Sequence, residues 1–267
     1  MCDPPLRGST QVNDVRLSYL DWGGLGPNCL LLHGITSNAR TWWRLAPALV
    51  NLGFRTVALD MPGHGDSAET ADHRIEAQAE LVAGFVRQSR LAPVTVIGHS
   101  WGGAIALGLA SEHAELVARV VLMDPALTMS ADDGHKSLTM FSRGLGAAVE
   151  KNSAALRTQN PDWLDQDIHW KAEAMLQCRA DAVAGFFTKS GNWNLTPSLA
   201  AVVAPLLLLV ADPTYTILSV TTRTAAEQVL ASTRSHITSV AGTSHNMYRG
   251  AGFEPTLDAL TRWLQSE

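Results

Sequence analysis

Charge is scarce in this 267-residue chain. Lys, Arg, Asp and Glu together make up 17%, and 25 acids against 20 bases leave a formal net charge of −5. No basic run or stripe is present, which argues against nucleic acid or an anionic membrane surface as the main partner. Cysteine is scarce too. Cys2, Cys29 and Cys178 are widely spaced and odd in number, so they form neither a disulfide framework nor a metal-ligand pattern. Cys29 lies in an apolar run and reads as a small core residue. Long hydrophobic runs are missing. The longest, Val202 to Ala211, contains Pro205 and falls far short of the roughly twenty residues of a membrane span. The opening Met1-Cys2-Asp3-Pro4-Pro5 lacks the charged-then-apolar pattern of a signal segment. Repeats and low-complexity segments are absent as well. These absences lead to the expectation of a cytoplasmic protein, monomer or homodimer, that acts on a small molecule.

Hydrophobic residues make up 46% of the chain, enough for one large α/β domain or a core with an inserted subdomain. Strand patterns are read at Val15 to Trp22 (alternating, as an edge strand), Asn28 to Leu32, Phe54 to Leu59, Pro93 to Ile97, Val117 to Met123, Val202 to Val210 and Ser235 to Val240. Helix patterns are read at Arg44 to Asn51, which Gly53 stops, and at Ile75 to Arg90, Ala104 to Ala110 and Phe253 to Leu264. The alternation predicts a mostly parallel sheet with helices on both faces. His33, Asp60, Ser100, Asp124, Asp212 and His245 all fall at or just after strand ends, where such sheets bind ligands. The stretch 126–197 breaks the alternation, with helix-like patterns and no convincing strand. It carries Phe141, Trp163, Trp170, Phe186, Phe187 and Trp193 and is expected to form a helical cap (lid) over a core of 1–125 and 198–267, with an apolar inner face.

Gly98-His99-Ser100-Trp101-Gly102 is the most informative motif. It stands between a β-branched strand and a buried helix and reads as a nucleophile elbow, in which small residues flank a serine on a sharp turn. The helix that follows also points its positive end at charge developing near the serine oxygen.

Taken with Leu31-Leu32-His33-Gly34, Asp60-Met61-Pro62-Gly63-His64-Gly65-Asp66-Ser67 and Gly242-Thr243-Ser244-His245-Asn246, the elbow makes nearly the whole chain resemble an α/β-hydrolase. The resemblance implies a Ser–acid–His triad, an oxyanion hole of two backbone amides, a cap inserted after the sixth strand and no cofactor or metal. Ser100 is then the nucleophile candidate, which needs an adjacent base. His245 fits by following both Ser100 and the candidate acids in the chain.

The acid stays open between Asp124, the preferred reading, and Asp212. Asp212 follows the usual family strand, but the position a few residues further on, where the family commonly places this Asp, holds Thr214. Asp60 and Asp66 read as turn and loop anchors. The oxyanion donors are expected to be the N–H groups of Trp101 and Ile35. His33 and His64 sit in motif positions that are usually structural. The ring of His99 is expected to point away from the substrate side, and His73, His113, His135 and His236 fall in polar stretches. His33, Gly34, Trp163, Trp170 and Trp193 are carried as candidate substrate contacts, and Trp42 and Trp43 as possible neighbours of the pocket.

The implied activity is hydrolysis of an ester or lactone of a small to medium, largely apolar substrate through an acyl-enzyme. A serine in the elbow, rather than aspartate, argues against the alkyl-enzyme branches of the family. Carbon–carbon bond hydrolysis, acyl transfer and cofactor-free peroxidation are rivals on the same triad, and a non-catalytic ligand receptor is the reading from a different class.

Overall fold

The computed structural model describes residues 4–190, 192–231, 233 and 235–266. Met1, Cys2 and Asp3 of the opening stretch lie outside them. The strands are β1 (Leu6–Val12), β2 (Val15–Asp21), β3 (Asn28–Leu32), β4 (Arg55–Leu59), β5 (Val94–His99), β6 (Val117–Met123), β7 (Thr128–Met129), β8 (Trp193–Asn194), β9 (Leu206–Val210) and β10 (Ser235–Ser239). Eight of them form one sheet in the order β1-β2-β4-β3-β5-β6-β9-β10, and β7 pairs with β8 in a separate ribbon. Pairings from β4 through β10 are parallel, whereas β1–β2 and β2–β4 are antiparallel.

Three expectations change here. The stretch from Val15 is not the sheet edge, because β1 pairs outside it from Leu6↔Asp21 to Val12↔Val15. The connection is the two-residue turn Asn13-Asp14, where Asn13 takes φ +51°, a backbone that asparagine tolerates better than most residues. The strand expected from Val202 starts only at Leu206, past Pro205, which has no N–H to give the ladder. The β7–β8 ribbon also lies within the stretch read as free of strands.

The helices are α1 (Leu45–Asn51), α2 (Ile75–Gln88), α3 (Trp101–Glu112), α4 (Ala131–Phe141), α5 (Val149–Gln159), α6 (Asp165–Gln177), α7 (Ala180–Lys189), α8 (Val220–Leu230) and α9 (Phe253–Ser266). Strand residues alternate between two cores, as a period of two requires. Leu30, Leu32, Val96, Val120 and Leu122 pack on one side with Phe85 of α2 and Ile105 of α3. Leu31, Ile97, Val121 and Met123 pack on the other with Leu45 and Leu49 of α1 and Leu260 and Trp263 of α9. Cys29 is buried in the second core. Sandwiched burial explains why the parallel strands read as unbroken apolar runs. None of the described helices is long and apolar enough to cross a membrane.

Helices α4 to α7 stand between β6 and β9 and form the helical cap. Val183, Phe186 and Phe187 of α7 join the main core. Helices α5 and α6 instead pack on each other around Leu156, Ile168 and Ala172, with Trp163 and Met175 alongside. The cap is therefore anchored through α7 and carries a small core of its own over the strand ends.

Candidate active site

Ser100 sits between β5 and α3 with φ +54° and ψ −117°, a region costly for any residue with a side chain and held only where the surroundings over-determine it. They do so here. Ser100 N–H donates to Met123 O at 3.0 Å, and Ser100 O accepts from Ala104 N at 3.1 Å and Ala126 N at 3.0 Å. A Cβ on Gly98 would run into the carbonyl of Gly102, and one on Gly102 into the carbonyls of Leu32 and His33. Only glycine fits at either position.

His245 follows β10, and its Nδ1 lies 2.6 Å from Oδ2 of Asp124. Asp124, at the end of β6, is fully buried. Its Oδ1 also accepts from Ala211 N (3.2 Å) and Thr216 Oγ1 (2.5 Å), and its Oδ2 from Ile217 N (3.1 Å). Four donors thus fill the carboxylate, and the side chain has no freedom to turn. Asp212 is elsewhere. It accepts from Thr214 N at 3.0 Å and Gly242 N at 3.1 Å, and these backbone donors pull its pKa down. It ties the strand-end loop after β9 to the loop that carries His245.

His99 departs from expectation. Its ring lies 4.6 Å from that of His245, its Nε2 donates to His245 O at 2.8 Å, and it borders the same cleft as Ser100. Burial, and then the neighbouring His245, push its pKa well below the ordinary value, which keeps it a neutral prop for the His245 loop.

The loop after β3 is braced from below by two neutral histidines. His33 Nδ1 donates to Gly34 O (2.8 Å), and its Nε2 accepts from Met61 N (3.0 Å). His64 Nδ1 donates to Pro62 O (2.9 Å), and its Nε2 accepts from Thr36 N (3.2 Å). Burial lowers their pKa values to about 4 and about 3 respectively, His64 being further lowered by His33. Thr36 itself has φ +57°, unusual for a β-branched residue. From the cap, Lys171 Nζ donates to Thr36 O at 2.8 Å and to Thr36 Oγ1 at 2.7 Å. Among the described residues, the N–H groups of Ile35 and Trp101 donate to no protein acceptor.

Ser100 and His245 open onto one cleft of about 540 Å³ between cap and strand ends. Gly34, Ile35, Trp163, Phe141, Met175 and Lys171 are among its walls. Three of the candidate substrate contacts are not. His33 is fully buried with both ring nitrogens engaged in the loop. Trp170 packs under the Arg40 guanidinium at 4.6 Å and lines a different depression with Trp43. Trp193 donates from Nε1 to Ala126 O at 2.9 Å and packs on Phe186. Each aromatic found a partner that periodicity does not reveal. Trp42 is likewise buried against Tyr248, and His73 lies beneath Gly185 of α7. Thr216 and Lys171 carried no signal in the sequence: one sits in a loop, the other on a helix where a lysine ordinarily faces water.

A family model described as alpha/beta hydrolase fold matches residues 27–174. N-formylmaleamate deformylase of Pseudomonas putida is 30% identical over 208 residues, which cover 76% of this chain and 77% of that protein. Esterase Rv0045c of Mycobacterium tuberculosis is 37% identical over 147 residues, 54% of this chain, and the match spans about half (48%) of that esterase's own length. The crystal structure of E-2-(acetamidomethylene)succinate hydrolase superposes with a TM-score of 0.82 over 98% of this chain and 99% of that one. At 21% identity that likeness speaks for the fold alone. The family match and the length over which the deformylase aligns agree with the sheet order and the strained turn at Ser100, and this chain belongs to the alpha/beta hydrolase fold family.

Proposed function

We propose that this protein is a serine hydrolase that cleaves a carboxylic ester or lactone through an acyl-enzyme, with Ser100 as nucleophile, His245 as base and Asp124 as the acid that orients it. The observation that carries the reading is the 2.6 Å contact between His245 Nδ1 and Asp124 beside a serine held on a strained turn in the same cleft. With Nδ1–H donated to Asp124, the lone pair of the imidazole is on Nε2, the nitrogen that a base for Ser100 must use. His245 takes the Ser100 proton as Oγ attacks the substrate carbonyl, and the oxyanion is received by the N–H groups of Ile35 and Trp101. Collapse of the adduct expels the alcohol, which receives the proton from His245. Water activated by the same histidine then attacks the acyl-enzyme and frees Ser100. Preorganised backbone donors of this kind are worth about a hundredfold or more each in rate. Residues 126–197 act as the lid that shields the intermediate from bulk water. The deformylase among the relatives makes removal of a formyl group from nitrogen the second reading, by the same steps with an amine leaving group.

Fluorophosphonate labelling with peptide mapping tests this without knowledge of the substrate. A single adduct on Ser100, absent from Ser100→Ala, is the expected result. Folded protein that takes no label, or takes it elsewhere, would overturn the assignment.

A further inference from the structure

The cleft at Ser100 has a charge at odds with the rest of the chain. The protein is acidic, with a net charge of −5, yet among the described residues the cleft is lined by three cations, Arg143, Lys151 and Lys171, and by no carboxylate. Arg143 and Lys151 are exposed at its rim. Lys171 reaches from α6 to the loop after β3, and both of its acceptors among the described residues belong to Thr36. An ammonium has three N–H groups, so one remains for a further acceptor. Lys171 keeps some exposure because it lines the cleft, but enough protein surrounds its ammonium that desolvation, and then the nearby Arg249, pull its pKa down to about 7.

Arg249 adds to the imbalance. It is buried behind Trp163, with its guanidinium 4.5 Å over that ring. It donates to Ser37 Oγ and Thr41 Oγ1, while its Nε and Nη1 have no partner among the described residues. Neither cation pairs with a carboxylate among those residues. A buried guanidinium beside a largely desolvated ammonium, with no counter-anion for either, is costly, and the arrangement makes chemical sense where a ligand brings the negative charge.

We infer that the substrate of the Ser100 site carries a carboxylate that pairs with the Lys171 ammonium, with Arg143 and Lys151 drawing it into the cleft. The inference rests on the proposed hydrolysis at Ser100 and names its substrate class. Because Lys171 is bonded to the residue after Ile35, the carboxylate sits only a few carbons from the scissile carbonyl, as in a half-ester of a short dicarboxylic acid. The apolar side chains Phe141, Met175 and Trp163 flank the carbon chain. Lys171 therefore has two jobs: it holds Thr36, and it offers its remaining N–H to the substrate.

Binding and turnover test this separately. In calorimetric titrations of the full chain carrying Ser100→Ala, glutarate binds and the uncharged glutaramide binds at least about tenfold more weakly. Adding Lys171→Met removes that preference, and Lys171→Arg keeps most of it. The exposed pair Arg143→Ala/Lys151→Ala, which leaves the core untouched, weakens glutarate severalfold in a salt-dependent way. With catalytic protein, the kcat/KM ratio of the 4-nitrophenyl half-ester of glutaric acid over 4-nitrophenyl pentanoate falls at least tenfold in Lys171→Met. If Lys171 served only to clamp Thr36, both esters would slow equally and the ratio would hold, which would overturn the inference. So would equal affinity for glutarate and glutaramide, or no binding of either. Glutarate binding without a fluorophosphonate adduct would sink the hydrolase reading and leave the anion site standing. An adduct with no preference for the charged ligand would do the reverse.

Discussion

Exchanging each candidate acid for its amide separates their roles, because the two carboxylates face different donors. Asp124 accepts four: Ala211 N, Thr216 Oγ1, Ile217 N and His245 Nδ1. Asparagine at 124 offers one oxygen to two of them and turns its NH2 towards the other two. If the NH2 faces His245, the ring must carry its proton on Nε2 and can no longer accept one from Ser100. If it faces Ala211 and Thr216, a buried N–H is opposed by another donor, at a cost of about 1–3 kcal/mol in stability. In serine-protease triads the matching change lowers kcat about 10⁴-fold, roughly 5.5 kcal/mol in the barrier, and Asp124→Asn is expected to fall in that range. Asp212 accepts two backbone N–H groups at the surface. Its amide can still accept one of them, so Asp212→Asn should keep activity within about tenfold. The assay is 4-nitrophenyl ester hydrolysis together with the rate of fluorophosphonate labelling, with a thermal melt to show that both variants fold. An Asp212→Asn loss matching that of Asp124→Asn, or an Asp124→Asn variant within tenfold of wild type, would refute the reasoning.

Two further outcomes concern stability. His33 and His64 have pKa values lowered by burial to about 4 and about 3 in the folded protein, against about 6.5 when unfolded. The unfolded chain then binds more protons below pH 6.5, so their contribution is intact above that pH and is lost as pH falls. By pH 5.5 each should have withdrawn about 1.4 kcal/mol. Urea titrations at pH 7.5 and 5.5 measure this, and His33→Gln should flatten the slope; a stability independent of pH over that window would contradict the assignment. Gly102→Ala should destabilise the fold by about 3 kcal/mol or more, because its Cβ would meet the Leu32 and His33 carbonyls and backbone does not yield as a side-chain tip does. Chemical denaturation of Gly102→Ala alongside wild type checks it, and a loss below 1 kcal/mol would show that the turn can relax.

Features written in consecutive residues are legible in the chain itself. The elbow at Ser100 is one: glycine spacing, a β-branched strand ahead of it and a buried helix after it are all local. The sandwiched strands are another, since residues buried on both faces must be apolar throughout. Strand β1 gives no such signal, because Leu6–Val12 carries apolar residues only at its ends, and Leu6 is itself exposed. Helix α8 is equally silent. Its pattern VTTRTAAEQVL buries only Thr222, Ala226 and Leu230, too thin a stripe to stand out.

The choice of acid is not in the sequence, because Asp124 and Asp212 both follow buried parallel strands. What separates them is the path of the chain after β9, which brings Thr216 and Ile217 back onto Asp124 while Gly242 takes Asp212. The cap tryptophans and Lys171 depend on tertiary structure in the same way. A helix pattern says that Trp163, Trp170 and Lys171 lie on or beside helices, but only the docking of α5 and α6 over the strand ends turns Trp163 and Lys171 to the cleft and Trp170 away from it. Sequence alone determined the buried parallel strands, the strained serine and the late histidine, since these depend on short-range sterics and on two-sided burial. The partner of that histidine and the charge of the cleft were decided by contacts between residues about ninety to one hundred and forty apart, whose meeting rests on how the layers pack and leaves no mark on the local pattern.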